Sequence, residues 1–362
     1  MNFLKYPLYN LNSMQTLQQS QHAYSNFINS INSEVTRKSY KYYVSRFLKY
    51  SNLDLDSLLK LPQKELSNLI INYLLSLKIS SRYKNAIFFS IKHACVMNDV
   101  ILNWPKLKKF IKSEKTGNET NGADRGYTHD EIQKILEFSD QRSKTAFFIL
   151  ASTGIRIGAL QLIKLGDLER IDNLYKITVY RGDNEQYITF CTPECAKSID
   201  EYLDFRARRG EKITRDSYLI VRKFTLKTKV KGKPFKGKAL WAVLERCISN
   251  CGLREINHLN QYKRKQIPIF HGFRKAFTTQ LVKSNVKTEY RWLLEGHKLK
   301  GSDEYYLKIT EQELYEEYQK AIDNLTINEE NRLLKRVKTL EVEKSILDSI
   351  ASRLKELENR VK

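Results

Sequence analysis

Three short stretches of the sequence combine side chains that suit chemistry on a phosphodiester. They are TGIR at 153–156, HGFR at 271–274, and GH at 296–297 followed by Tyr306 nine positions after the histidine. A helix would place His271 and Arg274 on one face, because they lie three residues apart. Guanidinium groups from Arg156 and Arg274 could then present planar forks of N–H donors to the oxygens of one phosphate. Negative charge builds on those oxygens in a pentacoordinate transition state, so fixed cations stabilise that state most.

A tyrosine can supply the nucleophile that this arrangement needs. A phenol has an ordinary pKa of about 10 and becomes reactive where a cationic pocket stabilises its phenolate form. Attack on phosphorus would form a phosphotyrosine ester and release a sugar hydroxyl, which can later attack back and rejoin the strand. This chemistry requires no metal ion, no cofactor and no small-molecule substrate, and we expect none.

The charge of the chain indicates a polyanionic partner. The 362 residues carry 63 Lys and Arg against 41 Asp and Glu, a formal net charge of +22. Residues 1–122 hold 17 basic and 7 acidic side chains, whereas 325–362 hold 9 and 7, so most of the excess precedes the C-terminal stretch. Nucleic acid is the leading partner. A solubilising charge surplus or an anionic membrane surface is the alternative.

One segment concentrates this charge. Residues 222–238, RKFTLKTKVKGKPFKGK, carry eight basic side chains in seventeen positions and no acid. Alternating lysines in a glycine-containing loop can follow a phosphate backbone as an extended ribbon, although a merely solvated loop has a similar composition. The predicted DNA contacts are Arg222, Lys223, Lys227, Lys229, Lys231, Lys233, Lys236 and Lys238.

Composition excludes several other classes of protein. With 41% hydrophobic residues, including 21 Tyr and 16 Phe, the chain can build folded cores. No run approaches the ~18 apolar residues of a membrane helix, so we expect a cytoplasmic protein without membrane contact. Five cysteines are too few and odd in number for a disulfide framework. The pairs Cys191/Cys195 and Cys247/Cys251 lack the spacing of zinc modules, so we expect buried thiols.

Apolar periodicity predicts a mainly α fold with a small antiparallel β-sheet. Residues 1–111 should form a helical domain, because apolar side chains recur at helical spacing behind a cap at Ser33. Its cationic surplus makes it a candidate DNA-binding domain. The polar stretch 112–126 is typical of a linker. Residues 127–325 should form an α+β domain, since Arg181-Gly182-Asp183-Asn184 supplies turn chemistry between two runs rich in β-branched and aromatic residues.

The C-terminal stretch 326–362 has a different pattern. Apolar residues fall at every seventh position, namely Leu333, Leu340, Leu347, Leu354 and Val361. This spacing predicts a long, coiled-coil-like helix. The intervening heptad positions hold Ile350 and Leu357 but also Arg336 and Glu343, so pairing with another copy and folding back are equal alternatives.

The ordered set Arg, His-x-x-Arg, His and Tyr resembles the tyrosine recombinase, or phage-type integrase, family. The resemblance spans about residues 20–325 and is strongest in 151–168 and 271–306. The arrangement of these residues is similar to that of the archaeal branch of the family. It implies a helical core-binding domain, a catalytic domain, and action as a homo-tetramer on double-stranded DNA. The family's spacing of nine after the second histidine selects Tyr306 as the nucleophile that forms a 3′-phosphotyrosine, with Tyr305 as the alternative.

The resemblance also assigns the remaining catalytic roles. Arg156 and Arg274 would hold the scissile phosphate. His271 and His297 would hydrogen-bond its oxygens or assist proton transfer.

Two positions depart from the family's pattern. Arg181 occupies the hairpin position where the family has a lysine that protonates the leaving 5′ oxygen, and arginine is a poor general acid. Arg181 therefore acts electrostatically, or Lys176 or a loop lysine gives the proton, or cleavage is slow. Ala159 stands where the family often has an acid, so another group must orient the pocket.

The resulting hypothesis is a site-specific DNA recombinase that integrates or excises a mobile element. A catalytically weak or inactive DNA-binding relative is one alternative, and a type IB topoisomerase-like nicking enzyme is the other.

Overall fold

Where the structure describes it, the N-terminal part of the chain is helical. The computed structural model describes residues 21–111, 125–222, 232–253, 267–299 and 307–361. The chain separates into two units, Met1–Asn121 and Gly122–Lys362. The described helices of the first unit are α1 (Gln21–Asn29), α2 (Glu34–Ser51), α3 (Leu55–Leu59), α4 (Gln63–Ser76), α5 (Ser81–Val96) and α6 (Trp104–Lys108).

The first unit has a core of its own, built from the apolar helix faces. Ser33 caps α2 by accepting a hydrogen bond from the backbone N–H of Thr36. Helix α2 packs against α5, and Phe47 and Phe88 are buried in the core of this unit. The predicted helical character of this region is confirmed in its described part. Its role in DNA binding stays a prediction, and the predicted linker lies almost wholly outside the described residues.

The second unit adds a small sheet to helices. Its described helices are α7 (His129–Glu137), α8 (Gln141–Thr153), α9 (Ile157–Leu160), α10 (Pro193–Arg208), α11 (Gly237–Asn250), α12 (Ile269–Lys283), α13 (Thr288–Leu294), α14 (Glu311–Gln319), α15 (Ile322–Leu325) and α16 (Glu329–Val361). Its strands are β1 (Leu168–Ile171), β2 (Leu174–Val179) and β3 (Tyr187–Phe190), in antiparallel order β1-β2-β3.

The hairpin of β2 and β3 confirms the sequence prediction, with Val179 opposite Tyr187. Strand β1 was not predicted. Two of its four residues, Glu169 and Arg170, are exposed charged side chains, so its sequence shows no apolar alternation. Pairing with β2, rather than its own composition, makes it a strand. The mainly α fold with a small antiparallel sheet is therefore confirmed.

Helix α8 is the centre of the second unit's core. It packs against both α10 and α12, and Phe147 of α8 stacks on Phe273 of α12 with ring centroids 5.8 Å apart. A second apolar cluster joins the sheet to α12 and α14, and within it Tyr318 donates a hydrogen bond to the carbonyl of Ser152 (2.8 Å). These contacts fix the end of α8, which directly precedes the segment that carries Arg156, and the start of α12.

The cysteines are free thiols, and four of the five are buried while Cys251 is half-buried. The expectation of buried thiols is confirmed except at Cys251. In the part of the chain that the structure describes, no helix has the length and apolar character needed to cross a membrane.

Helix α16 confirms the predicted long C-terminal helix. Glu194 holds the residues that directly precede this helix, because it accepts hydrogen bonds from the backbone N–H groups of Ile327 (2.5 Å) and Asn328 (3.2 Å). Beyond this anchor Leu340 and Leu347 are 55% and 65% exposed in the single chain. The side chains of Leu354, Leu357 and Val361 lie outside the described part.

A buried ion pair ties α10 to the following loop. Arg206 and Glu211 are 1% and 3% exposed, and the guanidinium donates to both carboxylate oxygens at 2.8 and 2.7 Å. Arg206 also donates to the carbonyls of Tyr218 (2.9 Å) and Leu219 (3.0 Å). Without the Glu211 carboxylate, the buried Arg206 guanidinium would have only neutral hydrogen-bond acceptors.

We expect Glu211→Gln to lower the free energy of unfolding by about 3–5 kcal/mol, the usual effect of removing one partner of a buried pair. Denaturant unfolding of the whole chain measures this change. Glu201→Gln, an exposed position on α10, is the matched control and should change stability by less than about 0.5 kcal/mol. Equal stability of the two variants would contradict the prediction.

Candidate active site

The exit of α8 fixes the position of Arg156. The helix ends at Thr153, and Gly154 follows in the left-handed conformation (φ 61°) with its N–H donating to the carbonyl of Leu150. A Cβ atom on Gly154 would lie 2.3 Å from the ring of Phe277, so glycine is required there for space as well as for backbone conformation. Two residues on, Arg156 occupies the N-terminal boundary position of α9 without a capping hydrogen bond from its side chain, and it is exposed.

Helix α12 carries the His-x-x-Arg pair. His271 is exposed near the start of the helix, whereas Arg274 is only 6% exposed. The Nη1 atom of Arg274 donates to the carbonyl of Gly154 (2.8 Å), and Nη2 donates to the carbonyl of Glu295 (2.6 Å). The buried guanidinium is therefore held by two backbone segments that are distant in sequence.

The turn after α13 brings the second histidine to the same guanidinium. Gly296 adopts a positive φ of 68°, and its Cα faces the Tyr187 ring so closely that a Cβ would lie 2.4 Å from it. The Nε2 atom of His297 lies 3.1 Å from Nη2 of Arg274. Arginine has no acceptor, so Nε2 must accept and, in the neutral ring, Nδ1 carries the hydrogen.

A carboxylate completes this cluster. Glu295 is 5% exposed, and its Oε2 lies 3.8 Å from Arg274 Nη2 and 3.5 Å from Nδ1 of His297. Thr278 fixes the other carboxylate oxygen with a 2.6 Å hydrogen bond. Sequence reasoning missed Glu295, although it directly precedes Gly296-His297. Its carboxylate lies close to both Arg274 and His297, whereas Ala159 offers no acid to the cluster.

Electrostatics link Arg156 to this cluster. Burial lowers the pKa of Arg274 from its ordinary value, the charge of Glu295 opposes this, and the positive charge of Arg156 lowers it further. The Tyr187 phenol faces both guanidiniums; burial raises its pKa to about 12, against the effect of the two cations. The structure therefore brings Arg156, Arg274 and His297 together, with Glu295 and Tyr187 beside them.

The hairpin basic residues are engaged elsewhere. Arg181 forms an ion pair with Asp167 (2.7 Å) and donates to the carbonyl of Gly166 (2.9 Å). Lys176 lies between Glu169 (2.6 Å) and Glu311 (2.9 Å), and hydrogen bonds to these carboxylates raise its pKa. Each of these two cations thus has acidic partners outside the arginine cluster.

Several predicted residues lie outside the described part of the chain. They are Tyr305, Tyr306, Lys223, Lys227, Lys229 and Lys231. The described ends of the basic segment meet in one isolated antiparallel bridge between Val221 and Pro234, beside which the N–H of Arg222 donates to the carbonyl of Lys233 (3.0 Å). Lys236 and Lys238 follow at the start of α11, and all four of these cations are exposed.

No group of three or more His, Cys, Asp or Glu side chains is placed to hold a metal ion among the residues that the structure describes. The described cluster instead presents hydrogen-bond donors and positive charge. That arrangement suits an oxyanion better than a cation.

We expect Glu295→Gln to lower the free energy of unfolding by about 3 kcal/mol, because Arg274 stays buried without its counter-charge. The amide oxygen of Gln can still accept from Thr278, so the substitution tests the charge alone. Chemical denaturation measures the effect, with the exposed Glu137→Gln as the control. A stability within about 0.5 kcal/mol of the unsubstituted chain would show that the carbonyls alone hold Arg274.

Comparison with known proteins places this geometry in a family. The phage integrase family matches residues 126–313, more than half of the 362-residue chain. Tyrosine recombinase XerC of Staphylococcus epidermidis is 26% identical over 300 residues, covering 80% of this chain and 91% of that protein. A tyrosine recombinase of Pseudothermotoga lettingae is 22% identical over 53% of this chain and 59% of its own length.

Solved structures share the fold. The XerH site-specific recombinase bound to difH substrate, in a pre-cleavage complex, aligns with a TM-score of 0.53 and 16% identity over 86% of this chain and 89% of that one. Lambda integrase(75–356), as a dimer bound to a COC′ core site, aligns with a TM-score of 0.51 and 15% identity over 82% and 98%. The chain therefore belongs to the phage integrase family and is a tyrosine recombinase.

Proposed function

We propose that this protein cleaves and rejoins double-stranded DNA at specific sites through a 3′-phosphotyrosine on Tyr306, and so integrates or excises a mobile element. The observation that carries the proposal is the buried guanidinium of Arg274. Three of its N–H···acceptor contacts, to Gly154, Glu295 and His297, fix it beside Arg156.

Prepositioned cations suit phosphoryl transfer. Because Arg274 is held by backbone carbonyls, it need not reorganise when the phosphate gains charge during attack. Arg156 is exposed and can reach a DNA phosphate directly. The two guanidiniums would hold the non-bridging oxygens, while His271 and His297 would donate hydrogen bonds or move protons.

The basic segment supports DNA as the partner. Lys236 and Lys238 lie at the N-terminal end of α11, where the helix dipole already disfavours positive charge. A phosphate backbone at this position would interact favourably with the lysine charges and with the positive end of the helix dipole. The DNA-bound states of XerH and lambda integrase are consistent with this assignment.

We expect Tyr306→Phe to abolish covalent attachment of the protein to nicked DNA that carries the recognition site. Phenylalanine keeps the ring but lacks the oxygen that would join phosphorus. Denaturing gel electrophoresis of end-labelled DNA measures the adduct, with DNA taken from the junctions that flank the encoding element. Tyr305→Phe is the matched control and should retain the adduct.

The same assay separates the alternatives. Loss of the adduct in Tyr305→Phe and its persistence in Tyr306→Phe would reverse the assignment of the nucleophile. Salt-dependent DNA binding without any adduct would indicate an inactive binding relative. Relaxation of supercoiled plasmid without sequence preference would indicate a topoisomerase-like enzyme.

The tail helix offers a contact for a homo-tetramer on DNA. Leu333, Leu340 and Leu347 recur at heptad spacing and are more than half exposed. Lambda integrase forms a tetramer on a Holliday junction and aligns with a TM-score of 0.52 and 15% identity over 80% of this chain and 78% of that one. We assign α16 to pairing between copies of this chain.

We expect a chain that ends at Asn328 to remain folded and to form smaller assemblies than the full chain. This end point keeps the buried Ile327 and its contact with Glu194. Sedimentation velocity measures the mass of both proteins. In the full chain Leu340→Lys should act like the truncation, whereas Val342→Lys, equally exposed but outside the seven-residue series, should not. Unchanged mass after truncation would remove α16 from assembly.

A further inference from the structure

The hairpin turn contains a tyrosine in an unusual backbone conformation. Tyr180 has a φ of 54°. The other non-glycine residues with positive φ in the described part of the chain are Asn52, Asp99, Asp172 and Asn285. Asparagine and aspartate tolerate this region, whereas a bulky residue there is an outlier that costs on the order of 1 kcal/mol or more. The surrounding structure therefore holds Tyr180 in place.

In this conformation the side chains of Tyr180 and Arg181 contact different residues. Arg181 extends to Asp167 and Gly166. The ring of Tyr180 instead meets that of Tyr187 edge-on, with centroids 6.4 Å apart. Tyr187 packs against Gly296, which directly precedes His297. A chain of contacts thus connects the Tyr180 ring to the turn that carries the second catalytic histidine.

The phenol of Tyr180 lies within the field of both arginines. Burial raises its pKa from the ordinary value, and the negative charges of Glu185 and Asp183 raise it further, while the charges of Arg156 and Arg274 act in the opposite direction. The phenol therefore stays protonated at neutral pH, and the two cations favour any phenolate formed during a reaction. The hydroxyl of Tyr187 is closed off from solvent, whereas Tyr180 is only half-buried, so Tyr180 is the phenol that a substrate can reach.

We propose that Tyr180 is a catalytic residue that donates a proton to the leaving 5′ oxygen of the DNA strand, in the place of the side chain next to it, Arg181. The inference rests on the proposed function above. As the Tyr306 oxygen bonds to phosphorus, the bond from phosphorus to the 5′ oxygen breaks and its electron pair stays on that oxygen. The hydroxyl proton of Tyr180 transfers to it, which gives a 5′-hydroxyl and a phenolate beside Arg156 and Arg274.

Rejoining reverses each of these changes. The 5′-hydroxyl attacks the phosphotyrosine, its proton returns to the Tyr180 phenolate, and the Tyr306 oxygen leaves phosphorus. The proton that Tyr306 gives up in cleavage passes to His271, His297 or water and returns in this step. A phenol suits both directions, because it is a stronger acid than the sugar hydroxyl and its conjugate base remains a competent proton acceptor.

The test compares two DNA substrates with Tyr180→Phe. One carries the ordinary 5′-bridging oxygen at the scissile phosphate, and the other carries sulfur there, a leaving group that needs no proton. We expect Tyr180→Phe to slow single-turnover cleavage of the oxygen substrate by about 100-fold, within the usual range for loss of a general acid. Cleavage of the sulfur substrate should remain within a few-fold of the rate of the unsubstituted protein. A merely structural role would slow both substrates alike.

Matched variants assign the effect to one residue. Tyr175→Phe makes the same change on β2, where the hydroxyl donates to Asp200 (2.6 Å), and should alter both substrates equally. Selective rescue by sulfur in Tyr187→Phe or Arg181→Ala, but not in Tyr180→Phe, would overturn the proposal. So would full activity of Tyr180→Phe on the oxygen substrate. Absence of any adduct with the unsubstituted protein would instead contradict the proposed function.

Discussion

Holding two guanidinium groups against one phosphate requires the protein to bring like charges together before any DNA is present. Each charge near the other raises the free energy of the empty site. Arg274 also loses hydration, since it is 6% exposed. The structure offsets these costs with the carbonyls of Gly154 and Glu295 and with the Glu295 carboxylate. The remaining features of the site follow from this requirement.

The carbonyls can serve only if their segments lie in the correct places. Gly154 is fixed by the end of α8 and by the ring of Phe277, and the Glu295 segment is fixed by the contact of Gly296 with Tyr187. Both glycines have positive φ and leave no room for a Cβ. Packing of the core thus fixes the carbonyls of these segments closely enough for both to accept hydrogen bonds from Arg274. Substitutions at these glycines would act on the arginine through its acceptors.

Local sequence signals predicted the elements but not every contact. The cap at Ser33 and the hairpin turn are local features, and each correctly located an element. The three-residue spacing of His271 and Arg274 fits the helix that carries both. Glu295 was missed because its contact with Arg274 depends on the packing of α12 against the turn after α13. The separation of Arg181 from Tyr180 was equally hidden, since it follows from one positive φ and an ion pair with Asp167.

The position of Ala159 explains why the acid of this site comes from another segment. Ala159 is 1% exposed and belongs to an apolar cluster that includes Leu160 and Ile163. A carboxylate there would be surrounded by hydrocarbon, where an ionised group is costly without a partner. Glu295 reaches the guanidinium from the end of α13, and Thr278 donates a hydrogen bond to its other carboxylate oxygen. The negative charge beside Arg274 therefore comes from a residue that has the Thr278 hydroxyl as a hydrogen-bond donor. Ala159 and Leu160 of α9 can then pack in the apolar cluster without a buried carboxylate among them.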